Sequence, residues 1–223
     1  MANQPMLLIT IDGPAGAGKT TISKMLARRL GYRYLDTGAL YRAVAYKVRE
    51  VGIPADDDPG IGDVCDSLRI SVEENRLILN GEDITDRIRS PEITMLASAV
   101  SARPVVRRAL LDIQRDTGRA GGLVAEGRDM GTVVFPEADL KFFLDATVRQ
   151  RAHRRFRQYD NENGQTLEQI EQDIRRRDEN DSHRDIAPLK PADDAVTIDS
   201  TSMTVHEVVD LIMTHVRKWI DLS

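Results

Sequence analysis

A single cysteine, Cys65, excludes an internal disulfide and suits a reducing compartment. Its expected place is that of a small buried hydrophobe. Aromatic residues make up only 4% of the chain, and none is interleaved with its arginine clusters, which weighs against a base-stacking nucleic-acid surface. No apolar run approaches the ~20 residues that cross a bilayer. The N-terminal run Leu7–Ile11 stops at Asp12 and is too short for a signal peptide. Excess basic charge is missing too: the net charge is −5, so the molecule as a whole is not a polyanion binder. His153, His183, His206 and His215 lack metal-ligand spacing. There is no 20–50-residue repeat and no low-complexity tract. These absences lead to the expectation of a cytoplasmic protein with no membrane or nucleic-acid partner; a monomer is expected, though not from these absences. The 223 residues, 41% of them hydrophobic, suffice for one substantial core with small appended lobes.

What is present begins at Gly13. The segment Gly13-Pro14-Ala15-Gly16-Ala17-Gly18-Lys19-Thr20-Thr21 fills the pattern G-x-x-x-x-G-K-[ST]. The strand-like run Leu7–Ile11 leads into it, and Ile22, Met25, Leu26 and Leu30 follow at helical spacing. Strand, glycine loop, helix is the context of a phosphate-binding loop. Glycines let successive N–H groups turn inward around a phosphate chain, and the helix N-terminus adds partial positive charge. In that setting Lys19 reaches the terminal phosphates and the Thr20 hydroxyl sits on Mg2+.

Further apolar runs end in carboxylates: Leu123-Val124-Ala125 before Glu126, Leu140–Leu144 before Asp145, and Ala195–Ile198 before Asp199. In an open parallel sheet such strand-end residues face a ligand. Thr204 with Glu207 predicts a capping box for a last helix carrying Val208, Val209, Ile212, Met213, Val216 and Ile220 on one face. Strands alternating with helices predict an α/β sandwich with a parallel sheet. Residues 69–84 break that rhythm and read as a small antiparallel insert, with turns at Glu74-Asn75 and Asn80-Gly81. Asp56-Asp57-Asp58-Pro59-Gly60 has the charge to bind a cation but reads more readily as a solvated loop. Ser90 and Pro91 open another helix as cap and first position.

Arg149, Arg151, Arg154, Arg155 and Arg157 crowd one helical stretch, and Arg175, Arg176, Arg177 and Arg184 form a second cluster. One explanation is a solvated basic face paired with Glu168, Glu171 and Asp173. The other is a set of guanidinium clamps on phosphate. The glycine loop favours the second. The chain has no Asn/Thr-Lys-x-Asp guanine reader, which argues against a GTPase switch, and little room for a motor's partner domains. A small kinase must bring two mutually repelling polyphosphates into line, and fixed positive charge offsets the repulsion.

Five blocks resemble the bacterial cytidylate kinases. They are residues 13–21, Leu35-Asp36-Thr37-Gly38-Ala39-Leu40-Tyr41-Arg42, Val100–Arg107, Glu126-Gly127-Arg128-Asp129-Met130-Gly131-Thr132-Val133-Val134-Phe135-Pro136, and Ala192-Asp193-Asp194-Ala195. The resemblance runs in order over nearly the whole chain. It implies a P-loop kinase: a three-layer sandwich on a five-stranded parallel sheet, a small antiparallel β insert and an arginine-rich helical lid. As domains it implies a core of 1–36, 123–150 and 166–223, a monophosphate-binding lobe at 37–122 with its insert near 63–90, and a lid at 151–165. It implies phosphoryl transfer from ATP to CMP or dCMP with magnesium. Gly13 to Thr21 would hold the ATP phosphates. Arg42 and Arg128 would grip the CMP phosphate with Tyr41 and Thr37 beside them, and Ser98, Arg107 and Asp129 would read the cytosine edge. Arg177 and Asp181 would approach the sugar, Arg184 the phosphates, and Arg151, Arg154 and Arg155 would close over the transferring group. Alternatives are a kinase for another acceptor such as UMP, and a nucleotide-gated binding module without transfer chemistry. Asp36 is equally readable as a turn-orienting residue. Glu126 stands where some relatives carry aspartate, and no contact is assigned to it.

Overall fold

A computed structural model describes residues 6–73, 76–158 and 164–222. The chain forms two compact units, one of residues 1–35 with 117–223 and the other of residues 36–116.

The larger unit is built on a five-stranded parallel sheet in the order β2-β6-β1-β7-β8. Its strands are β1 (Leu8–Asp12), β2 (Arg33–Asp36), β6 (Leu123–Gly127), β7 (Leu140–Asp145) and β8 (Val196–Asp199), interleaved with helices α1 (Lys19–Leu30), α6 (Val148–Gln158), α7 (Leu167–His183) and α8 (Val205–Leu222). β1 is central, and its odd residues Ile9 and Ile11 are fully buried in one cluster with Ile22 and Leu26 of α1, Phe142 and Leu144 of β7, and Val208, Val209, Ile212 and Val216 of α8. Period-2 strands meet period-3.6 helices there as the sequence pattern requires. Trp219 packs against the same cluster, and Thr204 and Glu207 make the reciprocal bonds of the predicted capping box. The other face of β1 presents Thr10, whose hydroxyl lies under Gly131 of a π-turn, Met130–Val134. Layers on both faces give the three-layer α/β sandwich expected from the alternating runs.

The smaller unit holds helices α2 (Thr37–Val51), α3 (Asp58–Ser67), α4 (Pro91–Val100) and most of α5 (Pro104–Gly118), with an antiparallel sheet β3-β4-β5 (Ile70–Glu73, Arg76–Leu79, Glu82–Asp83). The β4–β5 turn uses Asn80 at φ 51° and Gly81 at φ 86°, the double left-handed geometry that Asn-Gly supplies. The Glu74-Asn75 turn lies outside the described residues. Ser90 accepts from Ile93 N and caps α4 as expected. The acidic run is not a loop. Asp57 accepts from Gly60 N and caps α3, Pro59 fits its first turn, and Asp58 pairs with Arg103 at 2.6 Å. Cys65 is buried on that helix, and burial pushes its thiol up to about 11.

Central burial sets a clear expectation. Ile9→Ala removes a fully buried side chain from a site walled on both sides and should cost about 2–5 kcal/mol in urea unfolding. A loss well under 1 kcal/mol would show that this cluster is not the centre of the core.

Candidate active site

The carboxyl ends of β1, β6, β7 and β8 carry the polar residues, as the rule for open α/β sheets requires. β1 runs directly into residues 13–18. At Gly13, φ is 148°, and a Cβ would lie 2.0 Å from the Leu144 carbonyl oxygen, so only glycine lets the loop start there. Gly18 opens α1 in a left-handed conformation, and no side chain caps the helix. Its first N–H groups are left for an anion.

Lys19 is buried and folded back on its own loop. Its ammonium donates to the carbonyls of Gly13 at 2.7 Å and Pro14 at 2.8 Å. Burial first, then the Arg128 guanidinium, push its pKa well below the usual lysine value, against the pull of Glu126, Asp12 and Asp181. Arg128 follows β6 and donates from Nε to Asp181 Oδ2 at 2.8 Å. Burial opposes the Asp181 charge, but Arg128, then Arg184 and Arg177, overcome it and hold the carboxyl below its ordinary range. Asp129 and Arg184, both almost fully buried, stand 3.6 Å apart. Lys19, Arg128, Asp129, Asp181 and Arg184 are therefore one buried constellation, and Arg177 acts on it from the adjoining turn of α7.

The α6 arginines do something more specific than clamping. Arg151 Nε donates to the Ala146 carbonyl at 2.8 Å, and its Nη1 donates to the Ala15 carbonyl at 2.9 Å and pairs with Asp178 at 2.6 Å. Arg154 Nη1 donates to the Ala17 carbonyl at 3.2 Å and to Ser200 Oγ at 3.0 Å. Both brace the outer side of the glycine loop, while Arg155 lies half-buried beside them. Residues 159–163 of the expected lid lie outside the described residues. The second arginine cluster divides. Arg175–Glu171 at 2.6 Å and Arg176–Asp173 at 2.9 Å are exposed helix pairs, the solvated face, whereas Arg177 and Arg184 turn toward Asp181 and Asp129.

In the smaller unit, Asp36 caps α2 by accepting from Ala39 N at 3.1 Å and pairs with Arg42 at 2.9 Å, so it orients the turn. Thr37 is buried at the start of that helix. The Arg107 guanidinium lies 5.7 Å from the Tyr41 ring centre and donates to the Ser101 carbonyl at 3.2 Å. The Ser98 hydroxyl is buried with no hydrogen-bond partner, so it has not been taken by its own helix backbone.

Two residues, Asp12 and Asp178, and one contact of Glu126 escaped the sequence. Asp12, noted there only as the end of an apolar run, is buried and accepts from Met130 N at 2.9 Å and Gly131 N at 2.8 Å. The strand-end rule applied to Glu126 marks it equally. Asp178 precedes Asp181 by one helical turn, a spacing that puts both on one face. Glu126 accepts from Tyr34 Oη across the sheet, which no local pattern reveals.

Among the described residues, no group of three His, Cys, Asp or Glu side chains is placed to hold a metal ion. A magnesium ion carried in on ATP fits what is there: it takes one or two protein oxygens with phosphate and water, and the Thr20 residue is exposed on the first turn of α1.

Sheet, glycine loop and uncapped helix define a P-loop fold. The shikimate kinase of Acinetobacter baumannii has the same fold, with a TM-score of 0.51 at 17% identity over 96% of this chain and 95% of its own. A profile of the cytidylate kinase family matches residues 9–218. The cytidylate kinase of Geobacter sulfurreducens is 49% identical over 95% of this chain and 93% of its own length, and that of Thermotoga maritima is 47% identical over 94% and 96%. The chain belongs to the cytidylate kinase family and is a kinase.

The Arg128–Asp181 pair yields a stability prediction. Asp181→Asn leaves a largely buried guanidinium without its charge partner and should cost about 3 kcal/mol at pH 7. Because the native carboxyl titrates below its unfolded value, the stabilisation is present above about pH 4 and disappears as pH falls through the native pKa. Urea titrations from pH 7 to pH 3 should show wild type losing its advantage over the variant. Equal stabilities at pH 7 would remove the pair from the account.

Proposed function

We propose that the protein transfers the γ-phosphoryl group of ATP to CMP or dCMP, giving ADP and CDP or dCDP. The observation that carries this reading is the buried constellation of Lys19, Arg128, Asp129, Asp181 and Arg184 at the carboxyl ends of the strands, in a chain of the cytidylate kinase family. Its cations are held by carboxylates and carbonyls that an incoming phosphate can replace.

The loop residues Gly13 to Thr21 cradle the ATP phosphates with backbone N–H groups. Lys19 turns from its carbonyl partners to the terminal phosphates. Thr20 would hold, together with the phosphates, a magnesium ion, which would supply charge neutralisation there. Arg42 and Arg128 take the CMP phosphate, with Thr37 and Tyr41 alongside and Arg177, Asp181 and Arg184 toward its sugar and phosphate. Ser98, Arg107 and Asp129 read the base: a carboxylate accepts from the cytosine N4 amino group and a guanidinium donates to N3 or O2. Uracil reverses that pattern at positions 3 and 4 and leaves buried groups unpaired. Arg151 and Arg154 hold the loop in register, and with Arg155 they supply positive charge near the transferring group. The acceptor oxygen is already ionised at neutral pH, so the chemistry calls for positioning and charge neutralisation rather than a general base. Closure of a lid over both bound substrates keeps water, the competing nucleophile, out. The reading includes a cytoplasmic monomer without nucleic-acid or membrane partners. Among the described residues no helix is long and apolar enough to cross a membrane.

A coupled assay with ATP and magnesium across CMP, dCMP, UMP and AMP tests this directly. CMP and dCMP should be preferred, and Lys19→Ala should lower kcat about a hundred- to a thousandfold. Better use of UMP or AMP would overturn the base assignment, and ATP hydrolysis indifferent to any acceptor would favour a binding module.

A further inference from the structure

The π-turn Met130–Val134 begins at Asp129, in the position where an aspartate ordinarily caps its own helix, yet the Asp129 side chain makes no capping hydrogen bond. The first two N–H groups are met from another element. Asp12, at the end of β1, accepts from Met130 N at 2.9 Å with Oδ1 and from Gly131 N at 2.8 Å with Oδ2. Both oxygens of one buried carboxylate are engaged on consecutive amides. The turn is otherwise closed by its own backbone: Val133 N and Val134 N donate to the Asp129 carbonyl, and Phe135 N donates to that of Met130. It is also seated tightly, since a Cβ on Gly131 would lie 3.1 Å from both Thr10 Oγ1 and Lys141 Cδ.

We infer that Asp12 is a positioning residue for the acceptor nucleotide: by capping the Met130–Val134 turn from the neighbouring strand, it sets Arg128 and Asp129 at a fixed distance from the donor loop. The inference rests on the proposed function, which gives Arg128 and Asp129 to CMP. Asp12 is bonded through the chain to Gly13, so one carboxylate ties the start of the phosphate loop to the residues after Asp129.

The ionised carboxylate is costly to keep where it is. Burial pushes the Asp12 pKa up to about 6, the neighbouring Asp129 adds to the rise, and the two amide bonds and Lys19 of α1 oppose it. Lys19 is itself faced by Arg128, Glu126 and Asp181. Below about pH 6 a proton on Asp12 replaces one acceptor by a donor, and one of the two turn amides loses its partner. Asp12→Asn imposes the same mismatch at every pH.

Calorimetric binding of CMP, and separately of a non-hydrolysable ATP analogue with magnesium, to wild type and to Asp12→Asn at pH 8.0 and pH 5.5 tests the inference. Comparing the two proteins at each pH cancels the titration of the CMP phosphate itself, whose second pKa is about 6. At pH 8.0 the variant should bind CMP about tenfold or more weakly, the effect of losing a hydrogen bond to a charged group, while its affinity for the ATP analogue stays within about threefold. At pH 5.5 the CMP gap should narrow to about threefold or less as wild-type Asp12 takes up its proton. A merely structural aspartate would lower both affinities together, or neither, with no change in ratio between the two pH values; either result overturns the inference and leaves the function standing. Wild type that does not bind CMP overturns both. If Asp12→Asn does not fold, NMR of free wild type decides. The Met130 and Gly131 amide protons should titrate together with the Asp12 carboxyl carbon, and amides that stay flat from pH 5 to pH 8 contradict the inference.

Discussion

Lys19 is a charged group with nowhere comfortable to be. Its ammonium sits under the glycine loop, bonded to two carbonyls of that loop, with Arg128 as a neighbouring like charge and Glu126, Asp12 and Asp181 as partial compensation. Everything else at the carboxyl end of the sheet can be understood from this buried charge. Carboxylates are needed near it because isolated buried cations are prohibitively costly. Arginines are needed beyond them because a site that only neutralises itself would have no affinity for phosphate. The result is an array of buried ion pairs, Arg128 with Asp181 and Arg184 beside Asp129, whose carboxylates the proposed function would have phosphate oxygens replace.

The supports of this array are as specific as its members. Arg151 and Arg154 hold loop carbonyls from outside, so the N–H groups of the same peptides turn inward. Asp178 and Asp181, one turn apart on α7, take Arg151 and Arg128 respectively, so a single helix face ties the outside of the donor loop to the arginine after β6. Asp12 ties the loop to the turn beyond Asp129. Stability is given up at these points. Asp12 stays ionised at neutral pH in a buried setting that raises its pKa to about 6, which costs folding free energy relative to the unfolded chain. Such costs are common where function fixes the geometry.

Much of this was legible in the chain. The glycine loop and its flanking strand and helix followed from one motif in the right periodic context, and the α4 and α8 caps from residue type and spacing alone. These are local signals, each contained within a few residues. The acidic run at 56–60 misled because Asp57 as a cap depends on a short helix, Asp58–Ser67, with only three buried apolar residues, and Asp58 finds its partner in Arg103, 45 residues away. The roles of Arg151 and Arg154 were half legible: spacing put them on one face, but their attachment to loop carbonyls spans more than 130 residues of sequence. Asp12 and Glu126 were visible as residue types and silent as contacts, since their partners come from other elements of the fold. Family resemblance supplied the order of the motifs and the candidate residues, but not the bonds that hold them.

The central claim is that Lys19 is kept short of its normal proton affinity until polyphosphate arrives. Calorimetry of a non-hydrolysable ATP analogue with magnesium at pH 8, run in buffers of different ionisation enthalpy, measures it. The account predicts net proton uptake on binding, because phosphate charge restores the ammonium, and loss of that uptake in Lys19→Ala. Binding with no uptake, or uptake that persists in the variant, would contradict it.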